Sequence, residues 1–422
     1  MSPSVLPCVK PPAIYLLDTI PGESTEVVVL NRKKRKPSTV KNKSHPNATT
    51  VHTQALREQV TPGLTLAAST APMEGAGKYN AFAQVQAAGI ASAQPILIGA
   101  AQRADLPPHG VTVVIVDYGS SEGKNSLSPM RNVIQALRAR VTPEVAISVT
   151  HTDLPANDFR GLFSLLDSSC ESYLQEQQNI FCTATGRSFY EKLFPANSVT
   201  LGWCSFAAHW LSRVPVSIPG HIITSKAGGE AAVELKRQAA TDWSTFLAHR
   251  TNELRPGGRL VVVLTVRDDN GVAGTDEMLC MINSVLQDLV ALNVVREDEY
   301  ARMMVPDYTR NLGELLAPFS SALCQQDLTL HQHQIVEIDD PVWKSFQLDR
   351  NPDTLLNSYV GLARAVWFPA LLAVLDLDRS TIERSAIADL LESRLRQQIT
   401  AWGSDSPVFR VKEIIMEIVK NN

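Results

Sequence analysis

The run VTVVIVDYGSSEGKN, residues 111–125, constrains the fold of this chain more than any other stretch. Val111 to Val116 is an unbroken β-branched run, the mark of a strand buried on both faces of a sheet. Gly119 to Lys124 supplies a Gly/Ser turn, and Ser128 to Arg140 resumes helical periodicity. Pro143 breaks that helix, and Glu144 to His151 reads as the next strand. A strand covered on both faces needs helices on both sides, so this order predicts an open α/β sheet.

The flanking segments extend the pattern. Ala81 to Ile98 and Ala232 to Leu254 read as helices, and the second ends in Arg255-Pro256-Gly257-Gly258. Arg259 to Val266 is another buried strand, Glu277 to Ala291 a helix, and the remainder through Asn422 reads as mostly helical. The division expected is a basic, disordered extension over 1–60, a sheet domain over 61–275 and a mainly helical cap over 276–422. The extension holds NRKKRKPSTVKNKSHPNATT, nearly free of apolar residues. Within it Arg32 to Lys36 reads as a solvated tail before a polyanion-binding patch.

Composition narrows the function. Among 422 residues 44% are hydrophobic and 19% charged, and the net charge of −4 argues against bulk nucleic-acid binding. No apolar run reaches the length of a membrane span; the longest candidate, Val366 to Leu377, is broken by Pro369. The N-terminus carries no secretory pattern. Six cysteines lack metal or disulfide spacing, so reduced thiols in a cytoplasmic protein are expected. His331 and His333 lack a third ligand and read as an exposed edge, so no metal is expected.

In an open α/β sheet, ligands bind beyond the carboxyl ends of the strands. The turn after the first strand lacks the GxGxxG and P-loop patterns, which disfavours a dinucleotide or nucleoside triphosphate. Asp153 ends the second strand beside this turn. It is placed either to accept two ribose hydroxyls or to cap the next turn. From Gly186 to Pro215 the chain is rich in aromatic residues, suited to a pocket for a flat organic molecule or to a core.

These segments occur in one order: GAGKYNAFAQVQ, DYGSSEGKN, DLPANDF, SFYEKLFP, CSFAAHWLSRVP and LRPGGRLVVVLT. Together they resemble the SABATH family of S-adenosylmethionine-dependent methyltransferases, which methylate carboxylates and some ring nitrogens of small metabolites. The resemblance spans Met73 to Leu372, with looser support from VLQDLV, VPDYTRN and ARAVWFPAL. It implies a Rossmann-like class I methyltransferase sheet with a mostly helical cap, S-adenosyl-L-methionine as cofactor, a small carboxylic acid as substrate and a homodimer.

Carried over by position, the resemblance places Tyr79, Asp117, Gly119 and Asn125 along the methionine and ribose of the cofactor. Asp153 falls on the ribose hydroxyls, Leu154 and Phe189 on either face of adenine, and Ser188 at its edge. Gln86 and Trp210 would clamp the substrate carboxylate and so act as catalytic residues. Phe206, His209, Met278 and Leu279 would complete the acceptor pocket. Phe82 and Ala83 replace a family Asn and Ser, and Glu122 replaces a usual Ser and is expected to face water. Leu279 replaces a frequent Trp, which suggests an aliphatic or larger substrate, and Trp203 is assigned to packing. The alternatives are methyl transfer to nitrogen or a phenolic oxygen, with His209 as base, or a catalytically silent binding protein.

Overall fold

The computed structural model describes residues 71–175, 178–268, 270–320, 327–403 and 406–422. Among these, seven strands form one sheet in the order β3-β2-β1-β4-β5-β7-β6. They are β1 (Val113–Tyr118), β2 (Ile147–Asp153), β3 (Ile180–Gly186), β4 (Val199–Ser205), β5 (Leu254–Thr265), β6 (Leu328–Glu337) and β7 (Lys412–Lys420). The first five are parallel, and β7 runs antiparallel between β5 and β6. The chain builds outward from β1 through β2 to β3, then returns to lay β4 on β1's other side. The carboxyl ends of β1 and β4 therefore flank a crevice where strand order reverses.

Burial explains the unbroken apolar run of β1. Ile115 packs with Leu97 of the helix Gln84–Arg103 and Leu127 of the helix Lys124–Arg138 on one face. Its neighbour Val116 packs with Trp243 and Phe246 of the helix Gly229–Glu253 on the other. Successive residues alternate faces, so a strand sandwiched between helix layers has no polar side to spare. Trp203 of β4 lies fully buried in the first of these clusters. A third cluster joins the helices Asp276–Ala291, Pro352–Val366 and Thr381–Trp402 into the layer beside the sheet's open end.

The region 276–422 is not a separate helical cap. It contributes β6 and β7 to the sheet, with β7 in continuous register from Arg259↔Val419 to Thr265↔Glu413. The described residues belong to one compact unit, so the expected boundary at 275 is absent. His331 and His333 are exposed on the edge strand β6. The expected extension over 1–60 lies outside the described residues. No described helix is long and apolar enough to cross a membrane.

Candidate active site

The crevice opens into two adjoining cavities. The first, about 730 Å³, is lined by Gly119 and Ser121 after β1, Asp153 and Leu154 at the end of β2, Ser188 to Tyr190 after β3, and Ser205 to Ala207 at the end of β4. The second, about 480 Å³, is lined by Val85, Gln86, His209, Thr265, Thr275, Asp307, Val366, Trp367 and Val411. Met73, Tyr79, Phe206 and Trp210 line both. Both linings are mainly apolar with a few polar groups, the composition of a small-molecule site.

The first cavity has the chemistry of a nucleoside site. Gly119, at φ +88°, lets the turn approach β4 so closely that a Cβ would fall 2.4 Å from that of Ala207. Asp153 accepts the Ser121 amide on Oδ2 and the Leu154 amide on Oδ1, each at 2.7 Å, which fixes the carboxylate and leaves further lone pairs. Burial pushes its pKa up to about 6 against those amides. The Ser121 and Ser205 hydroxyls of its lining are buried without partners. Unpaired hydroxyls, a spare carboxylate face and two apolar walls, Leu154 and Phe189, fit an adenosine group.

Of the eight residues expected at the cofactor, Tyr79, Gly119, Asp153, Leu154, Ser188 and Phe189 come together here. Asp117 and Asn125 stand behind the lining. Asp117 is turned onto the neighbouring strand, where Oδ2 meets His151 Nδ1 at 2.8 Å and accepts the Ser126 hydroxyl at 2.6 Å. Burial alone would lower the His151 pKa, but the Asp117 carboxylate reverses this and raises it to about 9. Asn125 donates to the Ala83 carbonyl. Burial pushes the Tyr79 phenol well above its usual range, so it remains a donor.

Glu122 does not face water. It is buried, and its carboxylate accepts the Gly77 amide at 2.5 Å and the Asn80 amide at 3.1 Å. These are free donors at the start of the short helix Lys78–Phe82, and a carboxylate satisfies them well. Asp158 holds the Ala76 amide likewise, at 3.0 Å. The segment bearing Met73 and Tyr79 is thus latched over both cavities by two acids, the buried Glu122 and the partly exposed Asp158. Phe82 packs where a Cβ on Gly361 would go, which leaves it outside both linings.

The aromatic segment is anchored from below. Arg250 and Glu253, a buried pair at 2.9 Å, hold the loop after β3. Arg250 donates to the Phe189 and Glu191 carbonyls, and Glu253 accepts the Leu193 and Phe194 amides and the Tyr118 hydroxyl. The Tyr190 hydroxyl donates to the Trp210 carbonyl at 2.6 Å, tying that loop to the turn after β4. Phe206 begins the turn at φ +51°, a conformation costly for a bulky residue that the surrounding bonds hold in place. The sequence marked Arg250 and Glu253 only as charges three apart on a helix.

In the second cavity, Gln86 Oε1 is buried with no partner, and among the described residues no intramolecular bond engages the Trp210 indole N–H. Burial lowers the pKa of His209, whose Nδ1 lies 3.4 Å from the Thr265 hydroxyl, so the imidazole is neutral at pH 7. Met278 and Leu279 do not form the far wall; both are buried in the helical layer. That wall is Thr275, Val366, Trp367 and Val411, because the helix Asp276–Ala291 points its apolar stripe into its own layer. Thr265 was legible as the end of a parallel strand, whereas nothing in the sequence marked Val411.

Comparison with known proteins bears on this geometry. The family described as SAM dependent carboxyl methyltransferase matches residues 68–369, well over half of the chain. Methyltransferase FUS9 of Gibberella moniliformis is 30% identical over 251 residues, covering 58% of this chain and 66% of its own length. The salicylate/benzoate carboxyl methyltransferase of Arabidopsis thaliana is 26% identical over 260 residues, covering 57% of this chain and 67% of its own. The chain thus spans about two thirds of the length of these curated relatives. Among solved structures, loganic acid methyltransferase with SAH superposes with a TM-score of 0.68 at 20% identity, over 83% of this chain and 99% of that one, and so shares the fold. A nucleoside-fitted crevice at the sheet's switch point and a match over most of the fold place this chain in the family of SAM-dependent carboxyl methyltransferases, with S-adenosylmethionine as its cofactor.

Proposed function

We propose that this methyltransferase forms methyl esters on the carboxylate of a small organic acid held in the second cavity. The observation that carries this reading is the pairing there of two neutral N–H donors with no partner among the described residues, the Gln86 side-chain amide and the Trp210 indole, in a lining that holds no Lys or Arg. Bound in the first cavity, S-adenosylmethionine supplies an electrophilic methyl group carried on a sulfonium. Asp153 would accept the ribose hydroxyls, Leu154 and Phe189 would flank adenine, and Ser188 would meet its edge.

A carboxylic acid with a pKa of about 4 is ionised at neutral pH, so its oxygen needs no general base. The chain's work is then positional. Neutral donors orient the carboxylate without quenching it as a cation would, and the aromatic walls exclude water. Holding two reacting groups in line contributes roughly 7–11 kcal/mol to lowering a barrier of this kind. Met73, Tyr79, Phe206 and Trp210 border both cavities, which supports direct transfer between the two ligands.

The test is transfer of a labelled methyl group to a panel of aromatic, isoprenoid and fatty acids. A base-labile product is expected. A base-stable product would move the reaction to nitrogen or a phenol, where His209 would serve as the base. A folded protein that fails to bind S-adenosylhomocysteine by calorimetry would overturn every catalytic reading.

A further inference from the structure

The second cavity holds one group that a hydrocarbon acid leaves unexplained. Asp307 lines it among Val85, Phe206, Val366 and Trp367, and its Oδ1 is buried without a hydrogen-bond partner. The residue is held firmly: its backbone bridges Trp210, its carbonyl accepts the Thr224 hydroxyl, and the next amide donates to the His209 carbonyl. Two guanidiniums stand nearby, yet neither pairs with it. Arg310 donates to the Ala208 and Ala239 carbonyls, and Arg267 stacks on Tyr308. Beside it Thr265 bridges His209 and Thr309 at 3.4 Å each. An apolar chamber therefore contains a polar wall with an acceptor that nothing among the described residues satisfies, a costly arrangement unless a ligand completes it.

From this wall we infer that the acceptor is a hydroxy acid, with an alcohol group that donates to Asp307 while Gln86 and Trp210 hold its carboxylate. A hydroxyl is the group that fits, since it donates to a carboxylate and can also accept from His209 or Thr265. Burial raises the Asp307 pKa although His209, Arg267 and Arg310 oppose it, so a neutral hydroxyl suits this group better than an ammonium. The inference rests on the ester-forming reading of the same cavity.

The experiment compares matched acids with and without an alcohol: cyclohexanecarboxylate, benzoate and octanoate against their ring- or chain-hydroxylated forms. Buried polar groups left unpaired reject the analogue lacking the hydroxyl strongly, so at least one hydroxylated acid should exceed its parent by about 100-fold or more in kcat/KM. Asp307→Leu should shrink that ratio toward one, and Asp307→Asn should leave an intermediate ratio. Calorimetry of the same acids on protein saturated with S-adenosylhomocysteine should give the same ranking without turnover. Equal use of parent and hydroxylated acids, or a parallel fall of both in Asp307→Leu with the ratio intact, overturns the hydroxyl site while esters still support carboxyl transfer. Absence of any ester or acid binding overturns both.

Discussion

Asp153 joins a local detail to a measurable property. Its oxygens are fixed by two backbone amides, and burial raises its pKa from 3.8 to about 6. The ionised form accepts hydroxyls and the protonated form does so poorly. Affinity for S-adenosylhomocysteine is therefore expected to hold above pH 6 and to weaken as pH falls through it. Asp153→Asn should bind weakly at every pH, by about 1.5–3 kcal/mol, the usual cost of losing a hydrogen bond to a charged group. Calorimetry across pH 5–8 reads both effects, and a flat wild-type profile would set the ribose role aside. Gly89 offers a second residue-scale test, because a Cβ there would lie 2.2 Å from Glu413 Oε2 and 2.5 Å from Phe206 Cζ. Gly89→Ala should destabilise the fold by about 1–3 kcal/mol, read by denaturant unfolding, and should disturb acid turnover through Phe206.

At the scale of elements, the latch over the site is the feature the sequence misjudged. Glu122 follows a turn and precedes a helix, a place where an acid ordinarily faces water at the dipole's positive end. Its burial depends on the segment around Gly77 and Asn80, which reaches it from more than 40 positions earlier in the chain. Glu122→Ala should speed amide exchange at Gly77 and Asn80 and hasten cofactor release. Unchanged exchange at those two amides would show that the latch is dispensable. The strands were unequally legible for a related reason. β1 and β5 are apolar runs because both faces are covered, whereas β6 reads LTLHQHQIVE because it is an edge with mostly exposed side chains. β7 holds IIMEIV, apolar except for Glu417, but its partners β5 and β6 lie far back along the chain.

For the molecule as a whole, the sheet completes itself only through its last strand, and that strand carries Glu413. This side chain is fully buried and neither oxygen has a partner. Burial lifts its pKa from 4.5 to about 7. The unfolded chain ionises this group from about pH 4.5, while the folded chain keeps it neutral until about 7. Stability should therefore fall as pH rises through that window, by at most roughly 3 kcal/mol, and then level off. Glu413→Gln should flatten the decline in Tm between pH 5 and 8. His151, whose pKa is also raised, is unaltered by the substitution and cancels in the comparison, so parallel curves would contradict the assignment.

The central claim is that neutral donors in the second cavity hold a carboxylate for methylation. Its most direct measurement is Trp210→Phe, assayed for ester formation and for S-adenosylhomocysteine affinity in parallel. Loss of one hydrogen bond to a charged oxygen predicts a fall in kcat/KM of about 10- to 100-fold with cofactor affinity essentially retained. Unchanged ester formation, or loss of cofactor binding in step with turnover, would contradict it.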